Sequence, residues 1–280
     1  MYRRILVPLD GSPTAAQVLP YVQTLATGLK AGVTLLRVIE PVPEDWAKPA
    51  VGLYLDKVVR NLLDTAVDEL AKDAEALRRT GLTVACAAHE GRPADKILEE
   101  AAKEPETLVA MSTHGRSGVS RWVLGSVASK VLEAGVGPLL LYRSRGEVAP
   151  DFNKDLKVVI LPLDGSSEAE KALPHAASIA KALGLAVWLV RVAEAQEAQE
   201  VKTYLGKVGR LLKEEGVKEV QERCLAGAPG EALVQLADET PGALVALTTH
   251  GRTGVSRWVL GSVAQKLVMG SRRPVLVVRP

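Results

Sequence analysis

Glycine, serine and arginine residues with the potential to bind an anion occur twice in this sequence, in the same order. The segment HGRSGVSRWVLGSVA at 114–128 returns as HGRTGVSRWVLGSVA at 250–264 with one conservative change. In each segment a glycine is followed by nine residues and then by Gly-Ser. These positions are Gly115, Gly125 and Ser126 in the first copy and Gly251, Gly261 and Ser262 in the second. Glycines let a backbone pass close to a ligand, and amides at a helix start attract anions, so the spacing predicts two polyphosphate sites.

A second repeated motif brings a carboxylate. The segment ILVPLDGS at 5–12 recurs as VILPLDGS at 159–166, which gives Asp10 and Asp164. Each aspartate can be an ordinary turn residue, or it can accept from a ribose hydroxyl or hold Mg²⁺. We favour the ligand role because each aspartate directly follows an apolar run that reads as the first strand of its copy.

Several polar residues of the repeated segments have two interpretations. Ser126 and Ser262 can cap the helix that follows, or turn their hydroxyls toward a phosphate or a metal-bound water. Guanidinium groups match phosphate oxygens, and they are equally common as solvated surface charges. The arginines left open in this way are Arg116, Arg121, Arg252 and Arg257.

The histidines and tryptophans of the repeated segments favour structural interpretations. His114 and His250 lie in a tight turn, where a ring that hydrogen-bonds backbone is more common than a general base. Trp122 and Trp258 lie on an apolar side, which favours core packing over stacking on a base. His89 and His175 have no counterpart in the other copy, and we assign them no role.

Short apolar runs alternate with longer amphipathic ones, which is typical of βαβ units and a parallel sheet. The predicted strands lie near 3–9, 33–39, 82–89, 107–112 and 138–142, and near 157–163, 185–192, 217–224, 243–248 and 274–279. We therefore predict an α/β fold with two doubly wound five-stranded parallel sheets in the order 3-2-1-4-5. Strand order then reverses between strands one and four, where ligands bind such sheets. The residues predicted to converge there are Pro8, Asp10 and Ser112, and Pro162, Asp164 and Thr248.

The repeat also predicts the domain organisation. We expect one domain at 1–143, a polar linker at 144–156 and a second domain at 157–280. The matching segments are 154 residues apart at the front and 136 at the back, so the first copy contains 18 extra residues, in part a longer helix, between Val38 and Gly81.

Proline and serine positions predict how the first helix of each copy is built. Ser12 and Ser166 are expected to start these helices, with Pro13 in the first turn of one. Pro20 and Pro174 then fall inside the helices, where they are expected to cause kinks.

Composition and charge limit the class of protein and indicate its cellular compartment. A net charge of +2 does not favour a nucleic-acid or membrane-surface protein. The apolar run before Asp10 is shorter than the roughly 7–15 residues of a secretory core, so we expect a cytoplasmic protein. Cys86 and Cys224 have no metal-ligand spacing, and we expect both to be buried as small hydrophobic residues rather than to form a disulfide.

At these motifs the sequence resembles the universal stress protein family, specifically its tandem members, over almost the whole chain. The ATP-binding branch of that family carries G-x-x-G, nine residues, then G-S or G-T. Both copies match except at the first glycine, which is replaced by Ser112 and Thr248. The resemblance implies the adenine nucleotide alpha hydrolase-like fold and ATP with Mg²⁺ or Mn²⁺ held near Asp10 and Asp164.

The resemblance also assigns residues to the nucleotide. It implies that Val38 and Val192 offer backbone to adenine, and that Met111 and Leu247 line the base pocket. The predicted cofactor-binding residues are Pro8, Asp10, Val38, Met111, Ser112, Gly115, Arg116, Gly125, Ser126 and Val127 in the first copy. In the second copy they are Pro162, Asp164, Val192, Leu247, Thr248, Gly251, Arg252, Gly261, Ser262 and Val263.

By resemblance, the protein is expected to act in stress survival by binding a partner under nucleotide control. The family pairs domains through the last strand, and the apolar segments at 139–143 and 275–279 would otherwise be exposed edges. We therefore expect the two copies to pair internally, and the whole chain to form a homodimer. No nucleic-acid or membrane partner is expected.

Two other functions compete with that of a nucleotide-responsive binding protein. The first is a slow ATP hydrolase or self-phosphorylating enzyme at the same sites. The sequence contains no P-loop, no S-G-G-x-D-S loop and no paired carboxylates placed to activate water, so any hydrolysis is expected to be slow. The second is a phosphorylated receiver domain, which needs an acidic cluster where only the isolated Asp10 and Asp164 are found.

Overall fold

The computed structural model describes residues 2–41, 52–113, 124–135, 137–144, 155–249 and 260–279. The elements of the first copy are β1 (Arg4–Pro8), α1 (Pro13–Ala16), α2 (Leu19–Leu29), β2 (Gly32–Ile39), α3 (Gly52–Arg78), β3 (Val84–Glu90), α4 (Pro93–Ala102), β4 (Thr107–Ser112), α5 (Ser126–Ala134) and β5 (Leu139–Tyr142). Those of the second are β6 (Val158–Pro162), α6 (Ser167–Glu170), α7 (Leu173–Leu183), β7 (Ala186–Val192), α8 (Ala198–Glu214), β8 (Val220–Leu225), α9 (Pro229–Glu239), β9 (Ala243–Thr248), α10 (Ser262–Gly270) and β10 (Val275–Val278). A short 3-10 turn at Ala195–Glu197 precedes α8.

Within the described residues the strands form one sheet of ten, in the order β3-β2-β1-β4-β5-β10-β9-β6-β7-β8. Each half has the predicted order 3-2-1-4-5, with parallel neighbours throughout. The two predicted five-stranded sheets are continuous, because β5 and β10 pair antiparallel with Leu140 opposite Leu276.

Both faces of the sheet are covered by helices. Every residue of β4 and β9 is buried, as expected for strands between two helical layers. Successive side chains of a strand point to opposite faces, so Ile5 and Val7 enter one core while Leu6 enters the other. One core contains residues of α2, α3, α7 and α8, and the other contains residues of α4, α5, α9 and α10.

The first helix of each copy is interrupted rather than kinked, so the prediction of a kink at Pro20 and Pro174 was wrong. Helix α1 ends at Ala16 and α2 begins at Leu19, which places Pro20 in the first turn of a new helix. Amides of a first turn have no partner within the helix, so a proline there removes no hydrogen bond. The predicted start at Ser12 is confirmed, since its Oγ accepts from the Ala15 amide at 3.1 Å.

The extra length of the first copy lies partly in α3. This helix has 27 residues, against 17 in its counterpart α8, as the repeat offset predicts. Residues 42–51 and 145–154, which include most of the predicted linker, lie outside the described residues. None of the helices in the described part of the chain is both long and apolar enough to cross a membrane.

The prediction that both cysteines are buried was wrong. Cys86 is half-buried and Cys224 is exposed, and both are free thiols. They belong to β3 and β8, which are the two edge strands of the sheet. An edge strand has a neighbour on one side only, so its side chains are less covered than those of a central strand.

Candidate functional site

A cavity opens in each copy at the carboxyl ends of the two strands where the order reverses. The first lies at β1 and β4 with a volume of about 510 Å³, and the second at β6 and β9 with about 270 Å³. The first cavity is lined by the predicted residues Pro8, Asp10, Val38, Met111, Ser112, Gly125, Ser126 and Val127. The second is lined by Pro162, Asp164, Val192, Leu247, Thr248, Gly261, Ser262 and Val263. The fold therefore brings the aspartate loop and the Gly-Ser helix start of each copy together.

The remaining predicted positions lie outside the described residues. These are Gly115, Arg116, Gly251 and Arg252, together with His114, Arg121, Trp122, His250, Arg257 and Trp258.

Asp10 is held in a fixed orientation at the mouth of the first cavity. Its Oδ1 accepts from the Ser12 amide at 2.9 Å and from the Ser12 hydroxyl at 2.6 Å. Asp164 and Ser166 repeat this arrangement at 3.0 and 2.6 Å. The aspartates thus are turn residues, and the same turn directs them to the cavity wall. A carboxylate held in this way needs no rearrangement to meet a ligand.

Two helices begin at the cavities without a side-chain cap. The N-cap residues of α5 and α10 are Gly125 and Gly261, and no side chain in the described parts of the chain caps either helix. The proposed capping role of Ser126 and Ser262 was therefore wrong, because each is the first residue inside its helix. Uncapped amides in a first turn, with the helix dipole behind them, attract anions.

The amide of each N-cap glycine is used by the fold. Gly125 donates to the Thr113 carbonyl at 2.9 Å, and Gly261 donates to the Thr249 carbonyl at 2.8 Å. These bonds tie each helix start to the end of the neighbouring strand. An anion at the helix start would therefore meet the amides that follow, beginning at Ser126 and Ser262.

Part of the wall of each cavity is apolar. Beside Val38 and Met111, the first cavity is lined by Leu36, Pro93 and Ile97. The second repeats this surface with Val190, Val192, Pro229, Leu233 and Leu247. Met111 and Leu247 are only 6% and 5% exposed, so these walls are firmly packed.

The backbone of Val38 extends past the end of β1. The Leu36 carbonyl accepts from the Leu9 amide at 2.8 Å, and the β1–β2 ladder stops at the pair of Pro8 with Leu36. Residues two apart in a strand direct their backbone groups to the same side, so Val38 directs its own over the cavity. In the second copy the Leu163 amide donates to the Val190 carbonyl at 2.8 Å. The backbone groups of Val192, two residues further on, are therefore directed over the second cavity.

Ser112 and Thr248, which stand where the resemblance implies glycine, are buried at the ends of β4 and β9. The Ser112 hydroxyl donates to the Ala15 carbonyl at 3.1 Å. This bond turns the side chain toward α1. The atoms that serine has and glycine lacks therefore connect β4 to α1.

Sequence reasoning missed a buried arginine beside each aspartate loop. Arg37 lines the first cavity, donates to the Leu9 carbonyl at 3.4 Å and lies 3.6 Å from the Glu69 carboxylate. Its counterpart Arg191 lies over the ring of Tyr204, at 5.6 Å from the ring centre. The available signal was the arginine common to LLRVIE at 35–40 and WLVRVAE at 188–194.

The Tyr204 hydroxyl has a partner of its own, since it donates to Glu170 at 2.9 Å. Burial and this acceptor raise the pKa of Tyr204, so the hydroxyl stays protonated as a donor. The buried arginines thus have different partners in the two copies, since Arg37 pairs with a carboxylate and Arg191 lies over an aromatic ring.

No group of three or more histidine, cysteine, aspartate or glutamate side chains suited to a metal ion occurs among the residues that the structure describes. A divalent cation at Asp10 or Asp164 would therefore take most of its other oxygen ligands from a bound phosphate and water.

Comparison with known proteins gives the family. The model of the universal stress protein family matches residues 1–143 and again 156–279. A universal stress protein of Mycolicibacterium smegmatis is 27% identical over an alignment of 297 positions that covers 99% of this chain and 97% of that protein. A universal stress protein of Thermus aquaticus is 31% identical over 144 residues, covering 51% of this chain and all of its own length.

Among solved structures, a universal stress protein from Archaeoglobus fulgidus superposes with a TM-score of 0.76 at 21% identity, covering 100% of this chain and 99% of its own. This likeness extends the same architecture over both copies. The chain therefore belongs to the universal stress protein family and carries two copies of the family's domain in tandem.

Proposed function

We propose that each copy binds one adenine nucleotide, ATP, and that nucleotide occupancy controls binding of a protein partner in the stress response. The observation that supports this most is a juxtaposition that occurs twice. In each cavity an uncapped helix start, an oriented aspartate and an apolar wall line one space. Those three surfaces suit a polyphosphate, a ribose and a base.

The backbone at Val38 and Val192 suits adenine in particular. A backbone amide and carbonyl directed over an apolar pocket match the donor and acceptor on the edge of adenine, while the packed walls exclude water from its faces. The base would then lie against Met111 or Leu247, with the phosphates at α5 or α10. Mg²⁺ or Mn²⁺ would bridge the phosphates to Asp10 or Asp164.

We propose that the two sites differ in strength. The first cavity, of about 510 Å³, falls within the roughly 300–1,000 Å³ of small-molecule pockets, whereas the second, of about 270 Å³, falls just below it. The smaller second cavity offers less surface to a ligand of the same size, which favours weaker binding there. The first site is therefore the one that fills first.

We further propose that residues 1–143 and 157–280 act as one internal pseudo-dimer, joined by a linker at 144–156, in the cytoplasm. The pairing of β5 with β10 supports this, since it uses the strand that the family employs between domains. A homodimer of the whole chain would then need another surface. Light scattering tests whether the whole chain forms a homodimer, and a monomeric mass would remove the homodimer from the proposal.

Native mass spectrometry of gently purified protein tests nucleotide binding. We expect bound adenine nucleotide, with one per chain retained more firmly than the second. Protein that carries no nucleotide and takes up none from millimolar Mg²⁺-ATP would overturn the proposal.

A turnover assay with Mg²⁺ or Mn²⁺ separates binding from enzymatic hydrolysis. We expect slow hydrolysis at most. Rates of many per second would instead favour an ATP hydrolase acting at the same sites.

A further inference from the structure

The last strand of each copy is followed by an arginine whose side chain reaches the other copy. Arg143 follows β5, and its Nη1 donates at 3.3 Å to the carbonyl of Gly270, the last residue of α10. Arg279 follows β10, and its Nη1 donates at 3.0 Å to the carbonyl of Ala134, the last residue of α5. The exchange is reciprocal, because both arginines and both carbonyls are equivalent positions 136 residues apart.

The antiparallel junction explains this reciprocity. Leu140 lies opposite Leu276, its own counterpart in the repeat, so the local twofold axis passes between them. A twofold junction makes every contact occur twice with the roles exchanged. Arg279 is exposed to solvent, and its guanidinium lies directly over Gly135, where an added methyl group would overlap it.

The backbone next to each arginine leads to the nucleotide site of its own copy. The Tyr142 carbonyl accepts from the Thr113 amide at 2.9 Å, and the Thr113 carbonyl accepts from Gly125 at 2.9 Å. In the second copy Val278, Thr249 and Gly261 are joined in the same way at 2.9 and 2.8 Å. Together with α5, α10 and the two arginines, these bonds form a closed ring that passes through both sites.

We infer that Arg143 and Arg279 are positioning residues, each for the nucleotide site of the opposite copy. The inference rests on the proposed function, in which α5 and α10 receive the phosphates. Each arginine donates to the last carbonyl of the helix in the other copy and so fixes where that helix ends, and a cation there also stabilises the last turn of the helix. Helix α5 has nine residues, about 13 Å at 1.5 Å per residue, so it acts as one short rigid body.

Single-site variants make the inference testable. Gly261→Val leaves the first site as the one that binds, and Gly125→Val leaves the second. In the Gly261→Val background we expect Arg279→Ala to raise the Kd for Mg²⁺-ATP about two- to fivefold, and more than Arg143→Ala does. In the Gly125→Val background we expect Arg143→Ala to have the larger effect. Isothermal titration calorimetry measures both.

Controls separate positioning from general loss of structure. Arg79→Ala removes a solvent-exposed arginine that pairs with Glu75 and lies away from α5 and α10, and we expect it to change neither Kd. Arg143→Lys and Arg279→Lys keep the charge and are expected to restore part of the affinity in the same crosswise pattern. If an alanine variant does not fold, the lysine variants carry the test.

Equal weakening of both sites by either arginine variant, or no weakening at all, would overturn the inference while leaving the proposed function intact. Absence of binding by the unmodified chain would instead refute the proposed function, and the inference with it.

Discussion

Asp10 shows how a single side chain can serve both the fold and the candidate site. Its hydrogen bonds to Ser12 form the turn that ends β1, and the Ser12 hydroxyl in turn caps α1. Asp164 and Ser166 repeat the same bonds. A residue with two such roles is a poor choice for a binding test, since its removal also weakens a turn.

The N-cap glycines are better probes of the site. Gly125 has φ −56° and ψ 148°, and Gly261 has −58° and 150°, values that a valine adopts without strain. We expect Gly125→Val with Gly261→Val to fold normally and to lose ATP binding, because the side chains fill the space beside the phosphates. A loss of about 3 kcal/mol corresponds to roughly a hundredfold in Kd.

Calorimetry gives the Kd, and circular dichroism checks the fold of the variant. The corresponding alanine pair, with less added volume, is expected to weaken binding less. An unchanged Kd in the valine pair would refute the placement of the phosphates.

At the scale of elements, a buried charged cluster attaches α4 to the sheet in the first copy. Glu100 of α4 accepts from Arg4 of β1 at 3.1 Å, and Arg4 also donates to Thr107, the first residue of β4, at 3.1 Å. His89 Nε2 and Lys103 Nζ lie 3.1 and 2.5 Å from the same carboxylate. Burial by itself raises the pKa of Glu100, but hydrogen bonds from these neighbours outweigh it, and the pKa lies below its ordinary value.

This lowered pKa predicts a pH-dependent contribution to stability. The carboxylate stabilises the fold above the unfolded pKa of about 4.3, and the contribution is lost as pH falls through the lower folded value. At pH 7 we expect Glu100→Gln to lower the free energy of unfolding by about 1–3 kcal/mol.

Urea unfolding at several pH values measures this effect. The difference between the variant and the parent is expected to shrink below pH of about 4. Glu99→Gln is the matched control, since that side chain is 60% exposed and pairs with Lys96 at the surface. A difference that stayed constant down to the lowest pH would contradict the assignment.

At the scale of the whole molecule, the two copies share one sheet and two continuous cores. Helices α2 and α7 pack together across the junction, and the Tyr2 hydroxyl lies 2.6 Å from His175 Nδ1. Burial raises the pKa of Tyr2 and lowers that of His175, so the two groups meet as a neutral pair. His175, to which the repeat assigns no role, therefore belongs to the contact between copies.

Gly28 tests this packing. A Cβ atom at Gly28 would lie 2.5 Å from Leu183 Cδ1 and 3.3 Å from the Ala182 carbonyl oxygen. We expect Gly28→Ala to lower the free energy of unfolding by about 1–3 kcal/mol through overpacking between the copies. Chemical denaturation measures it.

Gly206→Ala in α8 is the matched control. A Cβ atom there would make ordinary contact with Glu222 at 3.6 Å, so the higher helix propensity of alanine is expected to stabilise by about 0.5–1 kcal/mol. Combining Gly28→Ala with Leu183→Ala is expected to recover part of the loss. If Gly28→Ala instead raised the free energy of unfolding as Gly206→Ala is expected to, α2 and α7 would not be in contact at Gly28.

Local sequence was sufficient for the architecture of each copy. Apolar runs alternating with amphipathic ones predict strands and helices, and a repeated motif at the ends of strands one and four predicts where the cavities open. Ser12 and Ser166 predict helix starts for the same reason, since capping depends on neighbours only three residues away.

Features that depend on distant parts of the chain appeared only with the tertiary structure. The N-cap role of Gly125 in place of Ser126 depends on a hydrogen bond to Thr113, and the exposure of Cys224 depends on β8 being an edge strand. The crossing of Arg143 and Arg279 depends on the pairing of β5 with β10. Sequence periodicity records which face of an element is apolar, but only packing selects the element that covers it.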